Sequence, residues 1–286
     1  MAQGDEFKAR REQTRRSWNL ATEAHNAHKL DQAAFLRAGG STVYSDELEL
    51  LGDLSGKRLL HLQCNSGQDS LSLARVGAQV TGVDISVSAI EFATQLSAEC
   101  GIAANFERAD VLEWLPQAAD RGRRFDCVFA SYGALPWIDD IAAWMRGAGS
   151  VLEPGGRLVV LELHPLIWSV DEELRIKDPY FADYAFSEPV SDYVGRSGDA
   201  LAPSGFVETE PFENPEVAHA YQWTVAQIVQ AVIDAGLRLR TLREYPYVNG
   251  CKFLPNLVEL PGKRFTLPHG VASLPLQLGF VAERER

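Results

Sequence analysis

Two acidic residues, Asp84 and Asp110, each stand at the end of a short segment that is predicted to be a strand. Residues 57–86 fit the order strand, tight turn, helix, strand, and the turn is Cys64-Asn65-Ser66-Gly67. An acid at the end of the second strand of such a unit is placed to accept from the hydroxyls of a ribose, and the turn lets the backbone approach a ligand. The sequence therefore predicts a nucleoside-containing cofactor.

The turn after the first strand does not have the glycine spacing of a dinucleotide-binding motif. A dinucleotide fingerprint has glycine where this chain has Gln63, Asn65 and Gln68, so that motif is absent. Gly67 instead fits a G-x-G-x-G spacing, which resembles the first motif of class I S-adenosylmethionine-dependent methyltransferases. The chain departs from the family at His61, where an acid is usual, and at Gln63 and Asn65, where glycine is usual. Asn tolerates the left-handed backbone conformation that such turns require.

Three later segments follow in the order of the same family. The segment Asn105 to Asp110 is predicted as a third strand ending in an acid, and Phe125 to Gly133 as a fourth. The turn Glu153-Pro154-Gly155-Gly156 leads into a fifth strand at residues 157–162. Each of these segments alone fits an ordinary turn of an α/β protein, but their order and intervals favour the resemblance to methyltransferases. The resemblance is clearest over residues 55–165.

The resemblance implies an α/β fold with a Rossmann-like, mostly parallel seven-stranded sheet, helices on both faces and one antiparallel strand. Two strands, Leu237 to Tyr247 and Leu274 to Glu283, are joined without a helix, which favours an antiparallel pair. The implied cofactor is S-adenosyl-L-methionine, released as S-adenosyl-L-homocysteine, with no metal. The expected cofactor-binding residues are Trp18, Gln63, Cys64, Asn65, Gly67, Asp69, Asp84, Ile85, Asp110, Val111, Ser131 and Tyr132.

Composition narrows the function classes. The 286 residues carry a net charge of −12, and such a chain repels phosphate backbones, so a nucleic-acid partner is not expected. Four widely spaced cysteines indicate buried thiols in a reducing compartment. Neither a secretory signal nor an apolar run long enough to cross a membrane is evident. We expect a cytoplasmic protein, and the excess of arginine over lysine suggests a bacterial source; a monomer and a homodimer both remain open.

The chain divides into an N-terminal helical lid at residues 1–40 and a methyltransferase domain at residues 41–286. Residues 5–38 are predicted to be helical, with Trp18, His25 and His28 on one face. As a lid, this helix would cover the cofactor, and its two histidines would contact the substrate; the alternative is simple packing on the core. Residues 41–56 are predicted as a linker, and Ser88 as the first residue of a capping box.

Residues 165–222 are predicted as an insertion that caps the substrate. The stretch from 164 to 223 holds ten aromatic residues and has little periodicity, and long ordered insertions at the carboxyl edge of a sheet usually serve function. Trp168, Tyr180 and Tyr184 are the expected substrate contacts. A satellite packing cluster or a dimer surface is the alternative.

His164, in the sequence LELHP after the fifth strand, is the expected general base because its position and ordinary pKa suit proton transfer. A histidine that only caps the strand is the alternative, and Glu162, Tyr132, Asp178, Tyr180 and His219 are weaker candidates. The predicted function is methyl transfer to oxygen or nitrogen of a small molecule, with a secondary metabolite as one candidate acceptor. A nucleotide-dependent oxidoreductase and a non-catalytic S-adenosylmethionine-binding protein are the alternative functions.

Overall fold

The computed structural model describes residues 3–286, and its centre is a seven-stranded sheet with the strand order β3-β2-β1-β4-β5-β12-β8. The strands of this sheet are β1 (Arg58–Leu62), β2 (Gln79–Asp84), β3 (Asn105–Arg108), β4 (Phe125–Ser131), β5 (Leu152–Leu163), β8 (Leu237–Tyr245) and β12 (Gln277–Arg284). Strands β1 to β5 are parallel to one another. Strand β12 lies antiparallel between β5 and β8, which confirms the predicted fold.

The sheet is buried from both faces, which explains why β1, β4 and β5 are continuous apolar runs rather than alternating ones. One core cluster includes Trp144, Val160 and Phe280, and the cluster on the other face includes Leu59, Phe129 and Val159. The helices that follow the first two cover these clusters: α3 (Ser45–Leu51), α4 (Gln68–Arg75), α5 (Val87–Cys100), α6 (Val111–Asp120), α7 (Ile141–Ser150) and α9 (Val225–Asp234).

Four local predictions require correction. The predicted helix at residues 5–38 is two helices, α1 (Gln3–Ala27) and α2 (Gln32–Arg37), because the backbone of Lys29 and Leu30 pairs with the distant segment at 205–206. The predicted linker at 41–56 contains α3. Helix α5 is capped by Ser86 rather than Ser88, since the Ser86 hydroxyl accepts from Ala89 N at 3.1 Å. The predicted Glu153–Gly156 turn is the irregular start of β5, where pairing with β4 shifts.

Residues 165–222 contain more regular structure than their sequence indicates. They hold two short 3₁₀ turns, the helix α8 (Tyr193–Ser197), and the antiparallel pair β6 (Ala185–Pro189) and β7 (Val217–Tyr221). A second small sheet, β9 (Tyr247–Asn249), β10 (Val258–Leu260) and β11 (Arg264–Thr266), was not predicted.

Helix α1 packs along β7, so it lies between the sheet and residues 165–222. Within residues 3–286, no helix is both long and apolar enough to cross a membrane. The four cysteines are free thiols, and three of them are buried.

Candidate active site

A cavity of about 1020 Å³ lies at the carboxyl edge of the parallel strands. It is lined by the residues that follow β1 to β4, namely Asn65, Asp84, Asp110 and Tyr132 with their neighbours. Ligands of open α/β sheets bind at this edge. The volume is at the upper end of small-molecule sites, roughly 300–1000 Å³, so a nucleoside cofactor and a second small molecule fit together.

The backbone is strained where it meets the cavity. Gln63, Asn65 and Tyr132 have φ values of 53°, 46° and 41°, in the left-handed region that non-glycine residues seldom adopt. The side chain of Gln63 is held on both sides, because its amide nitrogen donates to the Ala134 carbonyl and its oxygen accepts from Trp144 Nε1 at 3.0 Å. Strain held by specific bonds is typical of ligand sites, and here it falls on two positions where the resembled family has glycine.

Gly67 does not line the cavity, which corrects its expected role. Its φ is 77°, and a Cβ atom there would lie 2.7 Å from Ala93 Cβ and 2.8 Å from the Phe106 ring. Glycine is therefore required by packing of the turn against the sheet and α5, and Gly67 is not among the residues that line the cavity. Cys64, Ile85, Val111 and Ser131 do line the cavity, as expected.

Asp84 is fixed at the end of β2 by the turn that follows β1. Its Oδ2 accepts from Asn65 N at 2.9 Å, and its Oδ1 accepts from Ser86 N at 2.8 Å. Burial raises the pKa of this carboxyl group, while the backbone N–H bonds oppose the shift. Each oxygen retains a lone pair, so a ribose with two hydroxyl groups fits this position.

Asp110 caps α6 and faces α1. Its Oδ1 accepts from Leu112 N at 2.9 Å, and its Oδ2 lies 3.2 Å from Arg11 Nε. Burial raises the Asp110 pKa, and the Arg11 charge opposes that shift. Asp139 also lies near Arg11, at 3.6 Å, and its Oδ2 has no hydrogen-bond partner among the described residues. Asp139 does not line the cavity, so Asp110 supplies the carboxylate for an amino group at this end.

A lysine that sequence reasoning missed, Lys29, lies in the same cavity as Asp69. Asp69 accepts from the Thr42 hydroxyl at 2.5 Å, and its pKa is raised by burial. Burial lowers the Lys29 pKa to about 8, and the attraction of Asp69 opposes this shift. An ammonium and a carboxylate at one end of a cavity suit a zwitterion. The break between α1 and α2 brings Lys29 here, and a local signal for the start of α2 is Asp31, whose side chain accepts from Ala34 N at 2.8 Å.

Three aromatic rings and one imidazole line the cavity between α1 and α8. Trp18 lies 5.4 Å from Trp137 and 6.2 Å from His25 between ring centroids, and His25 lies 4.2 Å from Tyr193. His25 Nε2 lies 3.0 Å from the Ser191 carbonyl, whereas His25 Nδ1 is buried without a partner in the described chain.

His28, Tyr180 and Tyr184 lie outside the cavity lining, which corrects their expected substrate contacts. His28 joins α1 to the insertion instead, with Nε2 2.7 Å from Asp192 Oδ2 and Nδ1 2.9 Å from the Val207 carbonyl. The Tyr180 hydroxyl accepts from Val225 N at the start of α9, and Tyr184 is exposed. Trp168 does line the cavity and is 43% exposed, so it lies at the rim.

His164 does not reach the cavity, contrary to the expected base. Its Nδ1 accepts from Leu166 N at 3.1 Å, and its Nε2 lies 2.9 Å from Glu244 Oε1. Burial lowers the His164 pKa, while Glu244 opposes that shift. Both nitrogens are engaged, so His164 acts as a cap of the 3₁₀ turn at 165–169.

The weaker candidates for the base differ in whether they line the cavity. Glu162 is fully engaged by backbone N–H groups, including those of Ala134 and Leu135, and does not line the cavity. His219 also lies outside the lining and bonds to Gln13 on α1 at 2.7 Å. Asp178 and Tyr132 line the cavity. The Tyr132 hydroxyl accepts from Asn249 Nδ2 at 2.8 Å, so it is held at the cavity wall.

The polar side chains of the cavity can be compared with the polar parts of S-adenosylmethionine. Asp110 lies beside the first turn of α6, Asp84 lies between the β1 and β2 loops, and the pair Lys29 and Asp69 lies by α4. These positions suit the adenine amino group, the ribose hydroxyls and the methionine zwitterion. In the part of the chain that the structure describes, no group of three or more His, Cys, Asp or Glu side chains is placed to hold a metal ion.

Comparison with known proteins finds a matching domain and several curated relatives. Residues 53–187 match the family described as a methyltransferase domain. The chain is 35% identical, over 187 residues, to the ubiquinone biosynthesis O-methyltransferase of Xanthomonas euvesicatoria pv. vesicatoria, covering 65% of each chain. It is 31% identical over 149 residues to the protein of that name from Bradyrhizobium sp., covering 51% of this chain and 56% of the relative. The chain thus spans between about half and two thirds of the length of these curated relatives.

Solved structures show the same fold. A putative S-adenosylmethionine-dependent methyltransferase from Listeria monocytogenes aligns with a TM-score of 0.58 at 17% identity, covering 88% of this chain and all of that one. Another such methyltransferase, from Mesorhizobium loti, aligns with a TM-score of 0.53 at 21% identity, covering 87% of this chain and all of that one. The match to a methyltransferase domain over residues 53–187 supports a class I S-adenosylmethionine-dependent methyltransferase, and the seven-stranded sheet with its antiparallel β12 has the fold of these solved structures.

Proposed function

We propose that this chain transfers the methyl group of S-adenosylmethionine to an oxygen atom of a small organic acceptor. The observation that carries the proposal is the cavity of about 1020 Å³, which combines polar groups suited to the cofactor with an aromatic wall beside them. The preference for oxygen comes from the curated relatives, which are named O-methyltransferases.

In this proposal the cofactor lies along the loops after β1, β2 and β3. Asp84 accepts from the two ribose hydroxyls through both carboxylate oxygens, as charge-assisted bonds. Asp110 accepts from the adenine amino group, and Ile85 and Val111 cover the adenine ring. Trp18, Gln63, Cys64, Asn65 and Ser131 complete the lining of the cofactor site.

Lys29 and Asp69 hold the charged end of the methionine portion. The Lys29 ammonium pairs with the carboxylate of the ligand and the Asp69 carboxylate pairs with its ammonium. Neither residue has an ion-pair partner within 4.0 Å among residues 3–286, so both are open to a charged ligand. Burying these charges is costly unless a bound zwitterion compensates both of them.

The aromatic wall formed by Trp18, Trp137, Tyr193 and the rim residue Trp168 receives the acceptor. Residues 1–40 act as the lid and residues 165–222 as the substrate cap of a methyltransferase domain at 41–286. S-adenosylmethionine supplies a methyl group that is already activated on its sulfonium. The protein's contribution is to align the acceptor with that methyl group and to exclude water, which accounts for much of the rate in such a reaction.

Two measurements test this function. Calorimetric titrations with S-adenosylhomocysteine and with NAD are expected to show binding of the first ligand only. Incubation with S-adenosylmethionine labelled on its methyl group, in a bacterial metabolite extract, is expected to label a small molecule. Binding of NAD alone favours an oxidoreductase, and cofactor binding without any labelled product favours a non-catalytic protein.

The four free thiols fit a cytoplasmic site of action, which we also propose.

A further inference from the structure

His25 is a buried histidine with one ring nitrogen bonded and the other free. Nε2 lies 3.0 Å from the carbonyl oxygen of Ser191, and the side chain is 3% exposed. A carbonyl oxygen only accepts, so Nε2 carries the hydrogen atom. The neutral ring then has its lone pair on Nδ1, and Nδ1 has no partner among the described residues. The nitrogen able to accept a proton is therefore the one without a partner.

The side chains around His25 indicate the shape of the ligand that would contact it. Tyr193 lies 4.2 Å from the His25 ring, Trp18 lies 6.2 Å from it, and Trp137 packs edge-on against Trp18 at 5.4 Å. All four side chains line the same cavity. Aromatic rings that line a cavity favour a flat aromatic ligand through offset or edge-to-face contacts.

We propose that His25 is the catalytic base, and that it takes the proton from a hydroxyl group on an aromatic acceptor. This inference rests on the proposed function, because it concerns the acceptor side of the same cavity. His25 replaces His164, whose two nitrogens are both engaged outside the cavity.

The step balances in atoms and charge. A lone pair of the acceptor oxygen forms the new O–C bond while the C–S bond of the sulfonium breaks and its electron pair stays on sulfur. The hydroxyl proton passes to His25 Nδ1, so the positive charge moves from the sulfonium to the imidazolium. The Ser191 carbonyl and the Asp192 carboxylate, 4.0 Å from Nε2, stabilise that imidazolium. The proton leaves to water when the product is released.

Burial keeps the resting ring neutral. Burial lowers the pKa of His25 to about 4, with Lys29 and His28 contributing in the same direction and Asp192 opposing them. At neutral pH the base is thus deprotonated before each turnover. Ser191 and Asp192 belong to the cap, so the cap determines both the orientation and the tautomer of this histidine.

Nitrogen-15 NMR of the imidazole groups tests the tautomer without any acceptor. In the protein bound to S-adenosylhomocysteine at pH 7, the signal that disappears in His25→Gln is expected to show a protonated Nε2 and an unprotonated Nδ1. A protonated Nδ1 overturns the assignment. Failure of the wild type to bind S-adenosylhomocysteine overturns the proposed function instead, so the two failures are distinguishable.

Turnover tests the acceptor and the base. Phenol, catechol and 4-nitrophenol serve as probes, and wild-type protein is expected to methylate at least one of them. His25→Gln keeps a side-chain N–H for Ser191 but lacks the Nδ1 acceptor, so kcat is expected to fall by about 100-fold or more while S-adenosylhomocysteine affinity is unchanged. His269→Gln, at an exposed histidine outside the cavity, is expected to have no effect.

Results opposite to these expectations would overturn the proposal. If the wild type binds S-adenosylhomocysteine and methylates none of the three probes, the aromatic-hydroxyl acceptor is overturned. If His25→Gln retains the wild-type kcat, the base is overturned. If its cofactor affinity falls together with kcat, His25 contacts the cofactor and the assignment is again overturned. If His25→Gln does not fold, the tautomer in the wild type is the deciding measurement, with the His25 ring signal assigned through bonds to its own backbone.

Discussion

The contribution of Asp84 to cofactor binding is the most direct test of the site, and Asp84→Asn is the smallest change that probes it. The carboxylate is 9% exposed and accepts two backbone N–H bonds at 2.9 and 2.8 Å, from Asn65 and Ser86. Bonds to charged groups contribute about 1.5–3 kcal/mol each, and neutral ones about 0.5–1.5 kcal/mol. Removing the charge from two ribose bonds therefore costs about 2 kcal/mol, which raises Kd roughly 30-fold.

The same substitution also weakens the fold, and the two effects must be separated. The amide has one acceptor oxygen, so one of the two backbone N–H groups loses its partner, at a cost of about 1–3 kcal/mol in the free energy of unfolding. Asp126→Asn is the matched control, because Asp126 accepts from Arg58 N at 2.8 Å at the opposite edge of the sheet.

Calorimetric titration with S-adenosylhomocysteine measures the first effect, and urea unfolding measures the second. We expect Asp126→Asn to lose stability and to keep the wild-type Kd. If Asp84→Asn is folded and binds S-adenosylhomocysteine as tightly as the wild type does, Asp84 does not contact the ribose and the proposed orientation of the cofactor is wrong.

Three further perturbations follow from the described contacts. Gly67→Ala is expected to lose about 2–5 kcal/mol in urea unfolding, since its Cβ would meet Phe106 at 2.8 Å and φ is 77°; a stability loss under about 1 kcal/mol would contradict the packing role. His164→Gln is expected to lower the melting temperature through loss of the Glu244 contact and to leave kcat nearly unchanged, whereas a large fall in kcat would restore His164 as a base. The free energy of unfolding as a function of pH tests His25, whose folded pKa of about 4 lies below its ordinary value of 6.5. Its unfolded state binds the extra proton between these values, so stability falls by up to about 3 kcal/mol as pH drops from 6.5 to 4, and His25→Gln is expected to lose this part of the pH dependence.

The parallel sheet was predictable because β1, β4 and β5 contain continuous apolar runs and because β2 ends in an acid. Burial on both faces leaves that pattern in local sequence, and the loop connection before β12 indicated its direction. Asp84 and Asp110 could be located for the same reason, since strand ends at one edge converge. The start of α9 is also set locally, since Thr224 and Gln227 form both bonds of a capping box.

The residues on the acceptor side could not be placed in this way. His25 lies inside the predicted helix at residues 5–38 and His164 follows the predicted fifth strand, and the difference between them depends on partners 166 and 80 residues away in sequence. Lys29 enters the cavity only because Leu30 N bonds to the Gly205 carbonyl at 2.9 Å and ends the first helix. The short strands β9 to β11, of three residues each, carry too little periodicity to be recognised.

The packing of α1 against β7 has a consequence for the order of folding during synthesis. Arg16 pairs with Glu216, and Thr14 accepts from His219 N, across 200 and 205 residues of chain. At about 5–20 residues per second, α1 emerges from the ribosome roughly 10–40 seconds before its partner strand exists. Its surface in that interval is largely charged, with acidic residues in the first turn and several arginines after it, so the waiting helix exposes little that aggregates. The sheet is expected to fold beneath an undocked helix, and the cavity is expected to close only when β7 has been made.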